Sequence, residues 1–174
     1  AQERYQVYCD VLAAHQIPVD PRLVSQPGRW ADDTALQAVH LLFDERKLRP
    51  GVDVEAIVNV NENFAFVVIQ ALRERGVHIP HDVAVVGVHS TPEGQCFTPP
   101  LTSVTVPTDE RGYNAVEALV KWLQGEEVPA RLNLPTRLVV RQSCGCLDPL
   151  VSRAQISPLP THAEQAGITS LEDQ

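Results

Sequence analysis

The sequence predicts an α/β fold in which a doubly wound parallel sheet lies between helices, as a three-layer α/β/α arrangement. Short apolar segments of strand length alternate with longer segments of helical periodicity between residues 3 and 143. The segment "VAVVGV" at 83–88 is apolar without alternation, which favours a strand buried on both faces of a parallel sheet. Because helices separate most of the strand segments, the connections are expected to be right-handed crossovers that leave the strands parallel.

The first third of the chain contains two predicted helices and two predicted strands. Apolar residues at helical spacing predict a helix over residues 3–16, which the prolines of "IPVDP" end. The segment "RLVSQ" at 22–26 is a short strand candidate. A second helix is expected over 31–47, and "VEAIVNV" at 54–60 predicts a strand after the turn at Pro50–Gly51.

The remaining elements follow the same alternation. A helix is predicted over 62–76, with Gly76 as its stop. The strand at 83–88 and a further strand at 101–106 come next. A helix over 108–125 is expected to bury Trp122 in the core, and "PTRLVVRQS" at 135–143 predicts a terminal strand. Residues 149–174 lose these patterns and are interpreted as a linker or tail.

Composition excludes several classes of function. The net charge is −8, and 14 basic residues are scattered among 22 acidic ones, so this segment lacks the basic cluster that binds phosphates. No apolar run has the length of a membrane-spanning helix. The chain starts without Met and within a predicted helix, which indicates a piece of a longer protein.

Four cysteines do not form a zinc-finger pattern. Cys144 and Cys146 form a C-x-C pair, and a disulfide across one glycine would be strained. Reduced thiols in the cytoplasm are the favoured interpretation, with a metal or redox site as the alternative.

Catalytic motifs are missing from the sequence. It has no Gly-x-Ser-x-Gly elbow, no phosphate-binding glycine loop and no His-Glu-x-x-His. No pair of carboxylates is placed for acid–base chemistry. We therefore expect neither an enzyme nor a bound cofactor or metal.

Polar side chains follow two successive predicted strands, where parallel sheets bind ligands. Asn61 follows the strand at 54–60, and His89 follows the strand at 83–88. Asn61 can contact a ligand, cap the next helix, or do both. His89 is either a ligand-binding group or a solvent-facing loop residue. Trp30, after the first strand candidate, can stack on a ligand or pack at a hinge.

Several segments, in order, carry a resemblance to a known family. "ALRERGVHIPHDVAVVGV", "TPPLTSV" and "ERGYNAVEALVKWLQG" resemble the effector-binding core of LacI/GalR-type transcriptional regulators, which is shared with type I periplasmic sugar-binding proteins. The resemblance covers roughly residues 4–143. It implies a two-lobed fold that closes on a small molecule, and a homodimer.

The resemblance also implies a division of the chain. Residues 1–100 correspond to the second lobe, residues 101–148 to a hinge crossing plus a helix and strand of the first lobe, and 149–174 to a linker. The rest of the first lobe and the DNA-binding part are expected to precede residue 1. A downstream signalling module is the alternative output.

The chain departs from the family at the ligand-contacting positions. The family's Asn-Asp pair is Asn61-Glu62 here, so Glu62 replaces an aspartate expected at the ligand site. His89 replaces an aspartate that accepts hydrogen bonds from sugar hydroxyls, and Val106 replaces a glutamine. A neutral histidine has one acceptor nitrogen, whereas a carboxylate has two acceptor oxygens. We therefore expect that this domain does not bind a simple sugar in the way that is usual for the family. The alternative is a non-binding dimerisation or docking scaffold.

Overall fold

The computed structural model describes residues 2–25 and 32–147, and Trp30 lies outside these residues. Helices and strands alternate as predicted. The elements are α1 Gln2–Ala14, α2 Asp32–Val39 continued by a π-helical segment His40–Glu45, β1 Ala56–Val58, α3 Glu62–Glu74, β2 Ala84–His89, α4 Pro92–Cys96, β3 Thr102–Thr105, α5 Thr108–Leu123 and β4 Leu138–Val139.

The sheet has the order β1-β2-β3-β4, and β1, β2 and β3 are parallel as predicted. β4 runs antiparallel to β3, with Ser103 opposite Val139 and Val104 opposite Leu138. The prediction of a wholly parallel sheet is therefore wrong at its last strand. The chain returns from α5 through residues 124–137 to the neighbouring edge of β3, and an antiparallel edge strand on a parallel sheet is a common arrangement.

The prediction of a strand at "RLVSQ" is wrong for residues 22–25, the described part of this segment. Pro21–Leu23 form a 3-10 turn, and the Asp20 side chain accepts a hydrogen bond from the Arg22 N–H at 2.8 Å. Asp at the cap and Pro at the first helical position both favour a helical turn over a strand. This local capping outweighs the β-propensity of the two apolar residues in the segment.

The core lies on one face of the sheet, where α2, its π-helical continuation and α3 pack. Its buried members include Val39, Leu42, Ile69, Leu72, Val83, Val85 and Leu101. Along β2, Val85 is buried whereas its neighbours Ala84 and Val86 are half-buried, and Val58 of β1 is 76% exposed. The prediction that β2 is buried on both faces is therefore wrong, because no described element covers the second face closely enough to bury it.

Helix α5 differs from its prediction in burial. The helix is present, but none of its residues is buried, and Trp122 is 64% exposed rather than in the core. An apolar stripe is buried only where another element packs on it, and none of the described elements buries this one. None of the helices within the described ranges has both the length and the apolar character needed to cross a membrane.

Candidate ligand-binding site

The ends of β1 and β2 place the predicted site residues at one edge of the sheet. The two strands are parallel neighbours, with Val58 opposite Val86. Asn59 prolongs this pairing, since its N–H donates to the Val86 carbonyl at 2.9 Å. Asn61 then begins α3, and His89 ends β2. The strand order therefore brings both loops to the carboxyl edge that parallel sheets use for ligands.

Asn61 caps helix α3. It has extended backbone, and its side-chain Oδ1 accepts a hydrogen bond from the Phe64 N–H at 2.7 Å. This contact satisfies one of the free N–H groups at the helix start. The side-chain Nδ2 has no hydrogen-bond partner within the described part of the chain. One side chain therefore caps the helix and keeps an Nδ2 donor that no described residue occupies.

Glu62 faces the protein interior. It is 2% exposed, and its Oε2 accepts a hydrogen bond from the Thr91 N–H at 2.7 Å. Oε1 is buried and makes no hydrogen bond to any described residue. A Cβ at Gly94 would lie 2.6 Å from Oε1, so only glycine allows α4 to pack this closely on the carboxylate. The hydrogen bond between Glu62 and Thr91 thus links the loop after β2 to the start of α3.

The turn at the end of β2, which begins with the last strand residue His89, is conformationally strained. His89 has φ of 116° and Ser90 has φ of 57°, both in the region that favours glycine. Such a conformation costs about 1–2 kcal/mol for each residue with a side chain. The His89 side chain is exposed and makes no hydrogen bond to the described residues. The imidazole of His89 therefore lies at the carboxyl edge of the sheet without a described hydrogen-bond partner, on a turn whose conformation depends on contacts with other segments.

Hydrogen bonds from distant residues hold this turn. The Ser90 N–H donates to Ser103 Oγ at 3.1 Å. The Arg141 guanidinium donates to Ser90 Oγ at 3.0 Å and to the Leu101 carbonyl at 2.6 Å. The sequence did not indicate Arg141, because its partner Ser90 is 51 residues away and no local pattern joins them.

The C-x-C pair lies beyond β4, next to an anchored serine. Ser143 is buried, and its Oγ donates to the Val85 carbonyl and accepts from the Thr102 N–H. All four cysteines of the chain are free thiols. The pKa of Cys146 is raised, mainly by a hydrogen bond to the Cys144 thiol and to a lesser extent by desolvation. Over residues 2–25 and 32–147, no three His, Cys, Asp or Glu side chains form a group that could hold a metal ion.

Comparison with known proteins identifies the family. A family model described as a periplasmic binding protein-like domain matches residues 1–144. The chain belongs to this family. The repressor MelR of Bacillus subtilis is 31% identical over 156 residues, which are 83% of this chain and 44% of the relative. The lactose operon repressor of Rhizobium radiobacter is 38% identical over 89 residues, 51% of this chain and 79% of the relative.

Solved structures agree with this assignment. The structure described as a complex of the transcriptional regulator CelR with cellobiose matches with a TM-score of 0.72 and 34% identity, over 81% of this chain and 42% of that chain. A regulator of the LacI family from Sanguibacter keddieii matches with a TM-score of 0.71 and 32% identity, over 82% and 52%. The resemblance to LacI-type regulators and the predicted fold are therefore confirmed, and these relatives are transcriptional regulators rather than enzymes.

The chain spans 44% of MelR and 40% of the regulator CelR of Thermobifida fusca, so it covers less than half the length of these relatives. β3 and β4 lie in the same sheet as β1 and β2, so the assignment of 101–148 to a crossing and a first lobe stays a prediction.

Proposed function

We propose that the chain is part of the effector-binding domain of a LacI-type transcriptional regulator. The supporting observation is the shared carboxyl edge of β1 and β2, where the free Nδ2 of Asn61 and the exposed imidazole of His89 leave adjacent parallel strands. A small molecule that binds there would shift the equilibrium between open and closed lobes, through its higher affinity for one of the two states. Trp30 stays a candidate ligand contact.

The ligand site differs from one that binds sugar hydroxyls through carboxylates. Glu62 turns its carboxylate towards the Thr91 N–H, so we assign it a supporting role behind the site instead of direct ligand contact. His89 and the Asn61 amide are then the polar groups that remain for a ligand. We infer a polar small molecule as effector, bound differently from the cellobiose of the CelR complex. No catalytic role is proposed, because neither group is paired with an acid or base.

The whole protein is proposed to be a cytoplasmic homodimer that reaches DNA through a region outside this chain. Family membership supports these points. A non-binding dimerisation scaffold is the second candidate, and the apolar exposure of two helices favours it. α1 and α5 have no buried residue, and they expose Tyr5, Val7, Tyr8, Val11, Tyr113, Val116, Leu119, Trp122 and Leu123.

A thermal-shift screen of the intact protein separates these functions. The screen covers cellobiose, monosaccharides, nucleosides, amino acids and organic acids. An effector raises the unfolding midpoint further as its concentration increases, because it binds only the folded state. The shift should disappear in His89→Ala and persist in His81→Ala, an exposed histidine before β2. If no compound moves the midpoint while the protein remains dimeric, the scaffold is the better account.

For Asn61 the informative substitution is Asn61→Asp, since aspartate keeps the capping oxygen and removes the Nδ2 donor. Asn63→Ala is the matched control, because Asn63 is exposed and has no side-chain hydrogen bond to the described residues. A ligand shift that is lost in Asn61→Asp and kept in Asn63→Ala would locate the effector at this edge.

A further inference from the structure

Two consecutive residues with side chains adopt positive φ at the ligand edge, and this conformation needs support from outside the turn. His89 and Ser90 have φ of 116° and 57°. Neither is glycine, so the isolated segment would prefer another conformation. The support therefore has to come from contacts made by other segments of the chain.

Arg141 supplies the contact that reaches furthest along the sequence. Its guanidinium donates to Ser90 Oγ at 3.0 Å and to the Leu101 carbonyl at 2.6 Å, and its side chain is half-buried. Its backbone N–H donates to Thr102 Oγ1 at 2.8 Å. Arg141 therefore joins three segments: the turn after β2, the start of β3, and the segment that follows β4.

We propose that Arg141 is a positioning residue that holds the His89–Ser90 turn in its ligand-binding conformation and couples that turn to the segment after β4. This inference rests on the proposed function, because it assigns His89 to the effector site. The planar guanidinium donates in two directions at once, from Nη1 to Leu101 and from Nη2 to Ser90. A lysine ammonium lacks this fixed fork and does not replace it.

Two further hydrogen bonds allow the stability of the turn to be measured without a ligand. The Ser90 N–H donates to Ser103 Oγ, and the Thr91 N–H donates to Glu62 Oε2. Both amides exchange with solvent only when the turn opens, so their exchange rates report how firmly it is held. Arg141 contacts neither amide, so a change in these rates reports an indirect effect, and Ser90→Ala shows whether that effect is carried by the Ser90 hydroxyl.

The coupling has a functional consequence. A shift of the segment after β4 relative to β3 would move the guanidinium, and with it the Ser90 hydroxyl. The turn that carries His89 would then open or tighten. Effector binding at His89 would therefore change the position of residues 140–143, and a change in that position would alter effector affinity, because thermodynamic coupling between two sites is reciprocal.

Hydrogen exchange of the intact protein without ligand, followed by NMR, tests the proposal. Arg141→Gln should raise the exchange rates of the Ser90 and Thr91 amides by about tenfold or more, while amides in β1 stay near their wild-type rates. Arg137→Gln is the matched control. It removes the same charge just before β4, and the described structure gives the Arg137 side chain no hydrogen bond. Its exchange rates should remain those of the wild type.

A second variant keeps the test decisive if Arg141→Gln folds poorly. Ser90→Ala removes the acceptor alone and should reproduce the faster exchange, with no further increase in the double variant. Arg141→Lys should not restore the wild-type rates. Unchanged exchange at Ser90 and Thr91 in Ser90→Ala, or an equal increase across the whole sheet in Arg141→Gln, would overturn the proposal.

Cellobiose serves as the ligand probe and separates this inference from the proposed function. If cellobiose binds the wild type, its affinity should fall in both Arg141→Gln and Ser90→Ala and stay unchanged in Arg137→Gln. If no compound of the screen binds any variant, the ligand assignment fails. The exchange rates then still decide whether Arg141 holds the turn.

Discussion

Glu62 and Thr91 join the loops that follow the two central strands. Oε2 of Glu62 accepts a hydrogen bond from the Thr91 N–H at 2.7 Å, across 29 positions of sequence. Glu62 belongs to the first turn of α3, and Thr91 caps α4. Asn61 directly precedes Glu62, and His89 lies two residues before Thr91, so this hydrogen bond links the two loops that carry the proposed ligand site.

The Glu62 contact predicts a stability loss that depends on which atoms are removed. Glu62→Ala leaves the Thr91 N–H unpaired and opens a cavity, so it should lower the free energy of unfolding by about 2–4 kcal/mol. Glu62→Gln keeps an acceptor for Thr91 and should cost about 1 kcal/mol. Urea denaturation checks both values. Glu55→Ala, an exposed carboxylate, is the control and should change little. Equal losses in Glu62→Ala and Glu55→Ala would contradict the contact.

Gly94 predicts a second effect at the same carboxylate. A Cβ there would lie 2.6 Å from Glu62 Oε1 and 3.0 Å from its Cδ, so Gly94→Ala has to displace the buried side chain. We expect a loss of about 1–3 kcal/mol. Gly112→Ala in α5 meets nothing within 4 Å and should stabilise the protein by about 0.5–1 kcal/mol. Thermal unfolding of the two variants gives the comparison, and a neutral Gly94→Ala would show that α4 packs more loosely.

Asn61 should show separable capping and ligand effects. Asn61→Ala removes the acceptor of the Phe64 N–H and should cost about 1 kcal/mol of stability. Asn61→Asp and Asn61→Ser keep an oxygen at the cap and should cost less. Chemical denaturation of the three variants measures this order. A loss in Asn61→Ser as large as that in Asn61→Ala would argue against the cap.

The paired thiols predict a pH dependence of alkylation. The neighbouring Cys144 thiol raises the pKa of Cys146, so less of the reactive thiolate is present at pH 8 than for an ordinary cysteine. Cys144→Ala removes that hydrogen bond and should move the iodoacetamide rate profile of Cys146 to lower pH. Mass spectrometry of the labelled peptide measures the profile. Cys9→Ala is the control, and a Cys146 profile unchanged by Cys144→Ala would exclude the thiol contact.

The alternation of elements was predictable because it depends on local patterns. Apolar spacing and the Asn61 cap define α3, and the prolonged apolar run defines β2. The direction of β4 was not predictable, since it depends on how the chain returns after α5. The exposure of Trp122 was missed for a similar reason: helical spacing shows that a stripe exists and leaves open whether another element covers it.

The site was predictable only in part. The topology rule placed Asn61 and His89 at one edge because the rule needs only strand order. The inward direction of Glu62 depends on the position of the Thr91 N–H, 29 residues later, and the role of Arg141 depends on Ser90, 51 residues earlier. Contacts over such separations leave no periodic signal in a single sequence.

Isothermal titration of the intact protein with the effector found by the thermal-shift screen tests the central claim most directly. If the effector binds at the edge that carries Asn61 and His89, we expect one site per chain and an affinity reduced at least about tenfold in both His89→Ala and Asn61→Asp. The affinity of His81→Ala and Asn63→Ala should equal that of the wild type. Binding that is equally strong in all four variants would place the effector elsewhere and contradict the account.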